Sequence, residues 1–329
     1  MDDRFRALLA CPVCGGPLSA GWRCGRCGAA FDAPNGVPAL RLPGDARTEA
    51  VRQFYAEAPF PGYPPHATLD WLRARASRSP FARMLDAAIP GDARIVEVGC
   101  GTGQMSLYLA RADRVVIGAD LTRASLLLGA DAARRFGIED VLFVESDLVR
   151  PGLREEAFDV VYCSGVLHHT RDPRGAFSRV ARLARPGGMI VIGLYNAAAR
   201  LPLRLRRVVA RLSRERWIPG DPVLADRAAE PERREAWLRD QYRHPEEHRH
   251  TLGEVRRWFR ANAVEYVRAF PSALLHEDEE DGLFSSQPGG WWLEEWLVQI
   301  GWARVLAGEG GLFLVIGRRS ENGVSPQGE

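Results

Sequence analysis

Four cysteines near the amino terminus have the spacing of a metal site. Two C-x2-C pairs are separated by nine residues, and their members are Cys11, Cys14, Cys24 and Cys27. In a chain without a secretory signal, such pairs indicate a metal site, with a pair of surface redox dithiols as the alternative. Four thiolates leave no open coordination position. We therefore predict a closed, structural Zn²⁺ site that stabilises a segment too short to build its own core.

A glycine turn with a nearby acid follows a short apolar segment in the middle of the chain. Arg94–Val98 predicts a strand, and Gly99–Gly103 has the spacing G-x-G-x-G, which differs from the dinucleotide pattern G-x-G-x-x-G. Glu97 lies two residues before the first glycine. A carboxylate at this position would repel a pyrophosphate, whereas it would attract a ligand with an ammonium and a sulfonium group.

Two further acids end the next predicted strands. Asp120 closes the segment Val115–Asp120, where an acid holds ribose hydroxyls in nucleotide-binding sheets. Asp147 follows Val141–Val144, where a carboxylate can accept from an adenine amino group. Each acid alone is also compatible with a strand-end cap or a salt bridge. Together, at this spacing, they predict a ligand that carries a nucleoside.

These motifs resemble those of a known superfamily. Glu97–Gly103, Asp120 and Ser146–Leu148 are similar to the first three cofactor motifs of class I S-adenosylmethionine-dependent methyltransferases, of the type 11 and 12 kind, and Pro186–Gly188 is a further mark. The resemblance covers about residues 90–195 and implies S-adenosylmethionine as cofactor. It places Glu97 near the methionine end, Asp120 at the ribose and Asp147 at the adenine. The cofactor-binding residues that it implies are Glu97, Gly99, Cys100, Gly101, Gly103, Gln104, Asp120, Leu121, Ser146, Asp147, Leu148 and Ser164.

The cysteine-containing segment has a resemblance of its own. Residues 8–42 resemble the zinc ribbons at the head of many bacterial methyltransferases and the zinc-ribbon proteins that activate RNA methyltransferases. The order of ribbon and methyltransferase also resembles that of ribosomal RNA guanine-N1 methyltransferases, which implies that the ribbon holds RNA. What the ribbon touches stays open at this point.

Two histidines are the candidate catalytic residues. His168 and His169 follow the predicted strand Phe158–Cys163, in the loop that faces the acceptor in this fold. Histidine is the natural general base near neutral pH. The alternative is that the pair shapes the loop or lines the cofactor. The strand is not followed by an Asn/Asp-Pro-Pro-Tyr sequence, which counts against methylation of amino groups on bases.

A segment rich in aromatic residues and prolines precedes the first strand. Its prolines exclude a helix over residues 54–65. The segment is either a strap on the core or a lid over the pocket. The candidate substrate and lid residues, which include two that follow the fifth predicted strand, are Tyr55, Phe60, Tyr63, Tyr195 and Asn196.

A parallel sheet would bring these residues together, because ligands bind at the carboxyl ends of such strands. Strands alternate with helices from about residue 93, and Val264–Phe270 and Gly311–Gly317 predict an antiparallel edge pair. We predict an α/β fold, a Rossmann-like doubly wound seven-stranded methyltransferase sheet preceded by a small four-cysteine zinc ribbon. The expected domains are a zinc ribbon (1–42), a linker with the aromatic cap (43–92), the methyltransferase domain with a helical insertion at about 197–262 (93–318) and a disordered tail (319–329).

One segment concentrates positive charge. Residues 200–216 contain seven arginines, and Leu201, Leu205, Val208 and Leu212 recur at helical spacing, which predicts a basic amphipathic helix. A lid helix with a solvated arginine face, an RNA contact, and an anionic substrate or membrane surface all stay open.

Composition limits the possible functions. All 44 basic residues are arginine, so the chain lacks the lysine that P-loop nucleotidases, pyridoxal-phosphate enzymes, Schiff-base aldolases and protein kinases require. The net charge of +2 is too small for a generic nucleic-acid coat. No apolar run is long enough for a transmembrane helix, and the first residues lack the layout of a signal peptide, so we expect a cytoplasmic protein.

The leading hypothesis is a methyltransferase that moves a methyl group in line to a small metabolite in an enclosed pocket. The second is an RNA base methyltransferase, on ribosomal or transfer RNA, that uses the ribbon for RNA contact. The third is a non-catalytic scaffold that binds the cofactor and docks a protein partner.

Overall fold

The computed structural model describes residues 2–57, 59, 61–111, 113–214, 216–221, 224, 231–242, 247–274, 282–287, 291–306 and 310–321. Phe60 and most of the expected tail lie outside this part. Seven strands form one sheet in the order β3-β2-β1-β4-β5-β7-β6, which confirms the predicted fold class. The strands are β1 (Arg94–Val98), β2 (Val115–Asp120), β3 (Val141–Glu145), β4 (Phe158–Ser164), β5 (Ala184–Tyr195), β6 (Val264–Phe270) and β7 (Leu312–Arg319).

Helices pack on both faces of this sheet. They are α1 (Asp3–Arg6), α2 (Ala46–Ala56), α3 (Leu69–Ala76), α4 (Pro80–Ala88), α5 (Gln104–Leu109), α6 (Arg123–Phe136), α7 (Pro173–Leu183), α8 (Leu201–Leu212), α9 (Pro231–Tyr242), α10 (Leu252–Ala261) and α11 (Trp292–Val305). Among the described residues, none of the helices has the length and apolarity needed to cross a membrane.

The sheet topology fixes the position of a ligand site. β1 pairs in parallel with β2 on one side and with β4 on the other, so the chain winds in opposite directions from the gap between β1 and β4. In such sheets the crevice at the carboxyl ends of the two central strands receives the ligand. β7 runs antiparallel to both of its neighbours, β5 and β6, as predicted for the edge pair.

The expectation of no helix over residues 54–65 is wrong at its beginning. Helix α2 continues through Phe54 and Tyr55 to Ala56, because the first proline of the stretch is Pro59. The side chain of Asp45 accepts a hydrogen bond of 2.8 Å from the backbone N–H of Thr48 and caps the start of this helix. The segment predicted as linker therefore contributes an ordered helix.

The cysteine-containing segment packs on its own chain. The Ala10 N–H donates to the Gly152 carbonyl at 2.9 Å, and the Leu40 N–H donates to the Glu145 carbonyl at 3.0 Å. Residues 38–40 thus pair with Glu145 at the carboxyl end of the edge strand β3, where its backbone groups would otherwise be unpaired. Phe5, Leu8 and Leu9 are buried in the same core as the sheet. The boundary at residue 42 stays a prediction.

Candidate active site

A cavity of about 670 Å³ opens at the carboxyl ends of the central strands. Its walls include many of the residues predicted from the sequence, from the cofactor motifs, the histidine pair and the lid segment alike. Those predicted residues are Glu97, Gly99, Cys100, Gly101, Asp120, Leu121, Ser146, Asp147, Leu148, Ser164, His169, Tyr55 and Tyr195. The volume lies within the range of pockets for small ligands and cofactors, about 300–1,000 Å³.

The glycine loop and Asp120 hold each other in place. The backbone N–H of Gly101 donates to Asp120 Oδ2 at 2.8 Å, and that of Thr122 donates to Oδ1 at 2.7 Å. Gly99 has a φ of +74°, and a Cβ there would lie 2.1 Å from Val166 Cγ2. Glycine at this position allows the close approach of the loop to Val166, in the segment after β4.

Glu97 is buried beneath the loop. The hydroxyl of Ser106 donates to its carboxylate, and burial raises the pKa of Glu97 to about 8. Burial also raises the pKa of Asp120 above its ordinary value, against the backbone hydrogen bonds that lower it. A cation entering the cavity would offset the cost of burying these two carboxylates.

The loop after β3 is shaped by its own polar groups. Asp147 Oδ1 accepts a hydrogen bond of 2.8 Å from the Val149 N–H, and the hydroxyl of Ser146 donates to the Pro151 carbonyl at 2.7 Å. These bonds turn the chain so that Leu148 and Asp147 both line the cavity. One carboxylate oxygen of Asp147 accepts no hydrogen bond within the described residues.

The two histidines have different positions. His169 lines the cavity, whereas His168 is fully buried and does not. The ring of His168 packs against those of His169 and Tyr195, with centroid distances of 4.2 Å and 3.8 Å. Its backbone carbonyl accepts a hydrogen bond of 2.8 Å from the His248 N–H. His168 therefore supports the loop, and His169 is the one that can reach a ligand.

Two residues assigned to the cofactor by resemblance do not line the cavity. Gly103 has a φ of +76°, and a Cβ there would lie 2.2 Å from the ring of Phe143, so this glycine lets α5 pack against β3. The amide of Gln104 donates to the Gly62 carbonyl at 3.0 Å and accepts from Arg75 at 3.1 Å. Gln104 ties the proline-rich segment to α5.

Two residues predicted for the substrate or lid are also away from the cavity. The Tyr63 hydroxyl donates to the Thr102 carbonyl at 2.8 Å, and its ring packs against those of Trp71 and Phe136. Asn196 is buried and accepts at Oδ1 from the Ala199 N–H at 2.9 Å, which fixes the turn that leads to α8. Tyr63 packs on the core, Pro61 of the same segment lines the cavity, and the predicted position Phe60 lies outside the described residues.

The far wall of the cavity comes from segments that motif analysis missed. Helix α2 contributes Arg47, Thr48 and Val51 together with Tyr55, and α9 contributes Trp237 and Gln241. The Gln241 amide donates to the Tyr195 hydroxyl at 2.8 Å. The sequence does carry a signal for α2, because Thr48, Val51 and Tyr55 have the spacing i, i+3, i+7 that places residues on one face of a helix.

Arginines also reach this end of the cavity. Arg171 and Arg179 line it beside α7, together with Asp45 and Asp172. Both acids accept backbone hydrogen bonds as helix caps, Asp172 from the Gly175 N–H at 2.9 Å. The cofactor motifs thus present acids, whereas the opposite end presents both signs of charge.

The four cysteine sulfurs converge about the two turns at the amino terminus. All four Sγ atoms lie within 4.8 Å of one another, with 3.7 Å between Cys11 and Cys27 and 3.5 Å between Cys14 and Cys24. Backbone N–H groups of Arg26 and Cys27 point at the Cys24 sulfur and contribute to lowering the pKa of that thiol to about 6.

One protein family and several known proteins are similar to this chain. Residues 96–192 match the family described as "Methyltransferase domain". An uncharacterized protein of Synechococcus sp. is 27% identical over 253 residues, 68% of this chain and 60% of its own length. The ubiquinone biosynthesis O-methyltransferase of Hahella chejuensis is 36% identical over 116 residues, 33% of this chain and 46% of its own. The chain thus spans less than two thirds of either relative.

One solved structure that is similar to this chain is that of another methyltransferase. Magnesium protoporphyrin IX methyltransferase from Synechocystis PCC 6803, with bound SAH, has a TM-score of 0.49 and 15% identity, covering 83% of this chain and all of that chain. The matched residues 96–192 run from β1 to β5 and contain the glycine loop, Asp120, Asp147 and the histidine pair. This central part of the chain therefore matches the methyltransferase family, as the resemblance of its cofactor motifs predicts.

Proposed function

We propose that this chain transfers a methyl group from S-adenosylmethionine to a small-molecule acceptor enclosed in the cavity. The observation that carries the proposal is that one cavity connects the cofactor motifs to His169 and Tyr195 and is walled by α2 and α9. An acceptor held between these walls would lie next to the cofactor, which is the alignment that in-line transfer requires.

The residues present fit the cofactor. Glu97 is a buried acid and Asp120 a half-buried acid at the cavity wall, and a bound cation would offset the cost of removing them from water. In the proposed assignment Glu97 faces the methionine ammonium, Asp120 accepts from the ribose hydroxyls, and Asp147 accepts from the adenine amino group. When bound, S-adenosylmethionine supplies an activated methyl group on a sulfonium, so the chain needs to orient the acceptor and remove its proton.

His169 is the proposed general base. It lines the cavity beside Tyr195, and the ring of His168 packs against both. A histidine that reaches the acceptor can take the proton of a hydroxyl as the methyl group is transferred. Tyr195 is itself fixed by the Gln241 amide, so the acceptor end keeps its shape without the ligand.

Two observations favour a small molecule over RNA. Helix α2 adds Thr48, Val51 and Tyr55 to the cavity wall, so an apolar and aromatic helix face is available to hold a compact acceptor. The cysteine-containing segment pairs with Glu145 of β3 through residues 38–40, and none of its described residues lines the cavity. The relative named for ubiquinone biosynthesis also acts on a small molecule, as its name states.

We also propose that the four cysteines hold a structural zinc ion. A tetrahedral site with Zn–S bonds of about 2.3 Å places its sulfurs about 3.8 Å apart, close to the separations in this cluster. Cys14→Ser should release zinc, measured by atomic absorption, and lower the melting temperature. Unchanged zinc content would rule out the four-thiolate site.

Methyl transfer from labelled S-adenosylmethionine into fractionated lysate tests the function directly. We expect label in the small-molecule fraction and none with the Asp120→Ala variant. Label confined to RNA would overturn the small-molecule assignment. Tight cofactor binding with no label in any fraction would favour the scaffold.

A further inference from the structure

Helix α8 presents an apolar stripe to the outside of the molecule. Leu201, Leu205, Val208 and Leu212 are 55%, 68%, 54% and 83% exposed and follow one another at i, i+4, i+7 and i+11. These are the residues that the sequence marks as the apolar side of an amphipathic helix. A surface helix ordinarily buries that side, whereas here the inward residues are Leu203 and Ala210.

Arginines border the stripe. At 3.6 residues per turn, Arg204 and Arg211 lie roughly a quarter turn from its centre. Both are exposed, and neither guanidinium group makes a hydrogen bond or ion pair within the described residues. Helix α8 contains no acidic residue. The exposed face therefore combines apolar side chains with unneutralised positive charge.

Two other arginines of this segment point inward and fix the helix. The guanidinium of Arg200 is 1% exposed, pairs with Glu247 and lies 3.6 Å over the ring of Tyr195. Arg207 donates to the same carboxylate at 2.5 Å and to the Gln241 carbonyl at 2.7 Å. Because Tyr195 and Gln241 line the cavity, these contacts attach α8 directly to the cavity wall.

We propose that α8 docks on the surface of an anionic phospholipid bilayer, lying in the plane of the membrane. Leucines and valine on one side would enter the boundary between headgroups and acyl chains, and the flanking guanidinium groups would pair with phosphates. Trp217, 63% exposed just beyond the helix, is a residue type that sits at headgroup level.

Charge and shape favour this occupant over two others. A second copy packed stripe against stripe would bring two rows of arginines together, which is repulsive. RNA would pair with the arginines but would leave the leucines and valine in water, since single strands stack on aromatic rings. An anionic bilayer satisfies both features at once.

Vesicle sedimentation of the full-length protein tests the proposal. The probes are vesicles of phosphatidylcholine alone and of phosphatidylcholine with phosphatidylglycerol at about three to one. We expect binding only to the anionic vesicles, weakening as sodium chloride is raised. Leu205→Glu combined with Leu212→Glu should abolish binding, and Arg204→Gln and Arg211→Gln should each weaken it about fivefold.

Helix α11 offers a matched control. Leu297 and Ile300 are 50% and 45% exposed on a helix whose first turn is acidic, so Leu297→Glu with Ile300→Glu should leave vesicle binding unchanged. All substituted side chains are at the surface, and thermal melts should confirm folding. The proposal would be overturned if the Leu205→Glu, Leu212→Glu variant bound anionic vesicles as well as the unaltered protein. It would also be overturned if the unaltered protein bound neutral and anionic vesicles equally, or if it formed a dimer in solution that this variant dissociates.

Discussion

The two ends of the cavity are built in different ways. At the cofactor end, Glu97, Asp120 and Asp147 lie in or directly after the parallel strands β1, β2 and β3, so the sheet itself sets their positions. Around the rest of the cavity, where the acceptor would lie, the walls come from α2, α7 and α9, and α2 lies more than a hundred residues before the other two in the sequence. One end is therefore fixed by the fold, whereas the other can vary while the sheet stays the same.

This difference predicts that substitutions at the two ends will have separable effects. Changes at the cofactor end should weaken S-adenosylmethionine binding, and changes at the acceptor end should alter kcat or the acceptor KM while leaving the cofactor Kd unchanged. A variant that alters both quantities together would show that the two ends are coupled.

The largest effect is expected from Asp120→Ala at the cofactor end. The substitution removes the proposed acceptor of two ribose hydroxyls and frees the Gly101 and Thr122 N–H groups that now donate to the carboxylate. Two charge-assisted hydrogen bonds are worth about 1.5–3 kcal/mol each, so the Kd should rise roughly 10²- to 10⁴-fold. Calorimetry measures the loss. Retained tight binding would contradict the ribose assignment.

At the acceptor end, His169→Asn should lower kcat about 100-fold, because a positioned general base contributes at least this much. The cofactor Kd should stay within about twofold. His168→Asn is the matched control. This side chain is fully buried and packs against His169 without lining the cavity, so its substitution should lower the melting temperature more than it lowers kcat. The reverse result would exchange the roles of the two histidines.

The same contrast explains how far the sequence could predict the site. Strand-end acids and glycine turns carry local signals, so their spacing predicts Glu97, Asp120 and Asp147, and all three line the cavity. Gly103 was assigned to the cofactor by the same pattern, yet its neighbour is Phe143, which no local signal reveals. A residue type and spacing indicate which chain positions can approach a ligand, but the tertiary neighbour decides what each one touches.

Cavity residues on distant helices could not be predicted from the sequence for a related reason. Trp237 and Gln241 reach the cavity because α9 packs beside Tyr195, and their segment has no motif of its own. In α8, periodicity predicted an apolar side at Leu205 and Leu212 but could not tell that this side would face outward. Which side of a helix is covered depends on its neighbours, and here Arg200 and Arg207 orient it through Glu247.

A pH dependence should distinguish the cofactor end further. The pKa of Glu97 is raised to about 8 by burial, so this carboxyl is mostly protonated at neutral pH in the ligand-free protein. Binding of the cofactor ammonium favours the charged form and must release the proton. The Kd should therefore fall by up to about tenfold per pH unit as the pH rises towards 8, and level off above it.

Calorimetry in buffers of different ionisation enthalpy counts the released proton. Glu97→Gln should bind more weakly, release none and lose the pH dependence. A pH-independent Kd in the unaltered protein would show that Glu97 does not face the cation. The acceptor KM is not expected to follow this titration, because Glu97 belongs to the opposite end of the cavity.

The smallest effect is expected where α2 covers the acceptor. Tyr55→Ala removes a half-buried ring from the cavity wall, and the loss of its contact with the acceptor should raise the acceptor KM about five- to tenfold at nearly unchanged cofactor Kd. Tyr63→Ala is the matched control from the same segment. Its ring packs against Trp71 and Phe136 away from the cavity, so it should destabilise the fold by about 3 kcal/mol or more with little change in KM. If both substitutions raise the KM equally, α2 and the segment around Tyr63 act as one lid. The acceptor end would then depend on the glycine loop, to which Tyr63 is hydrogen-bonded.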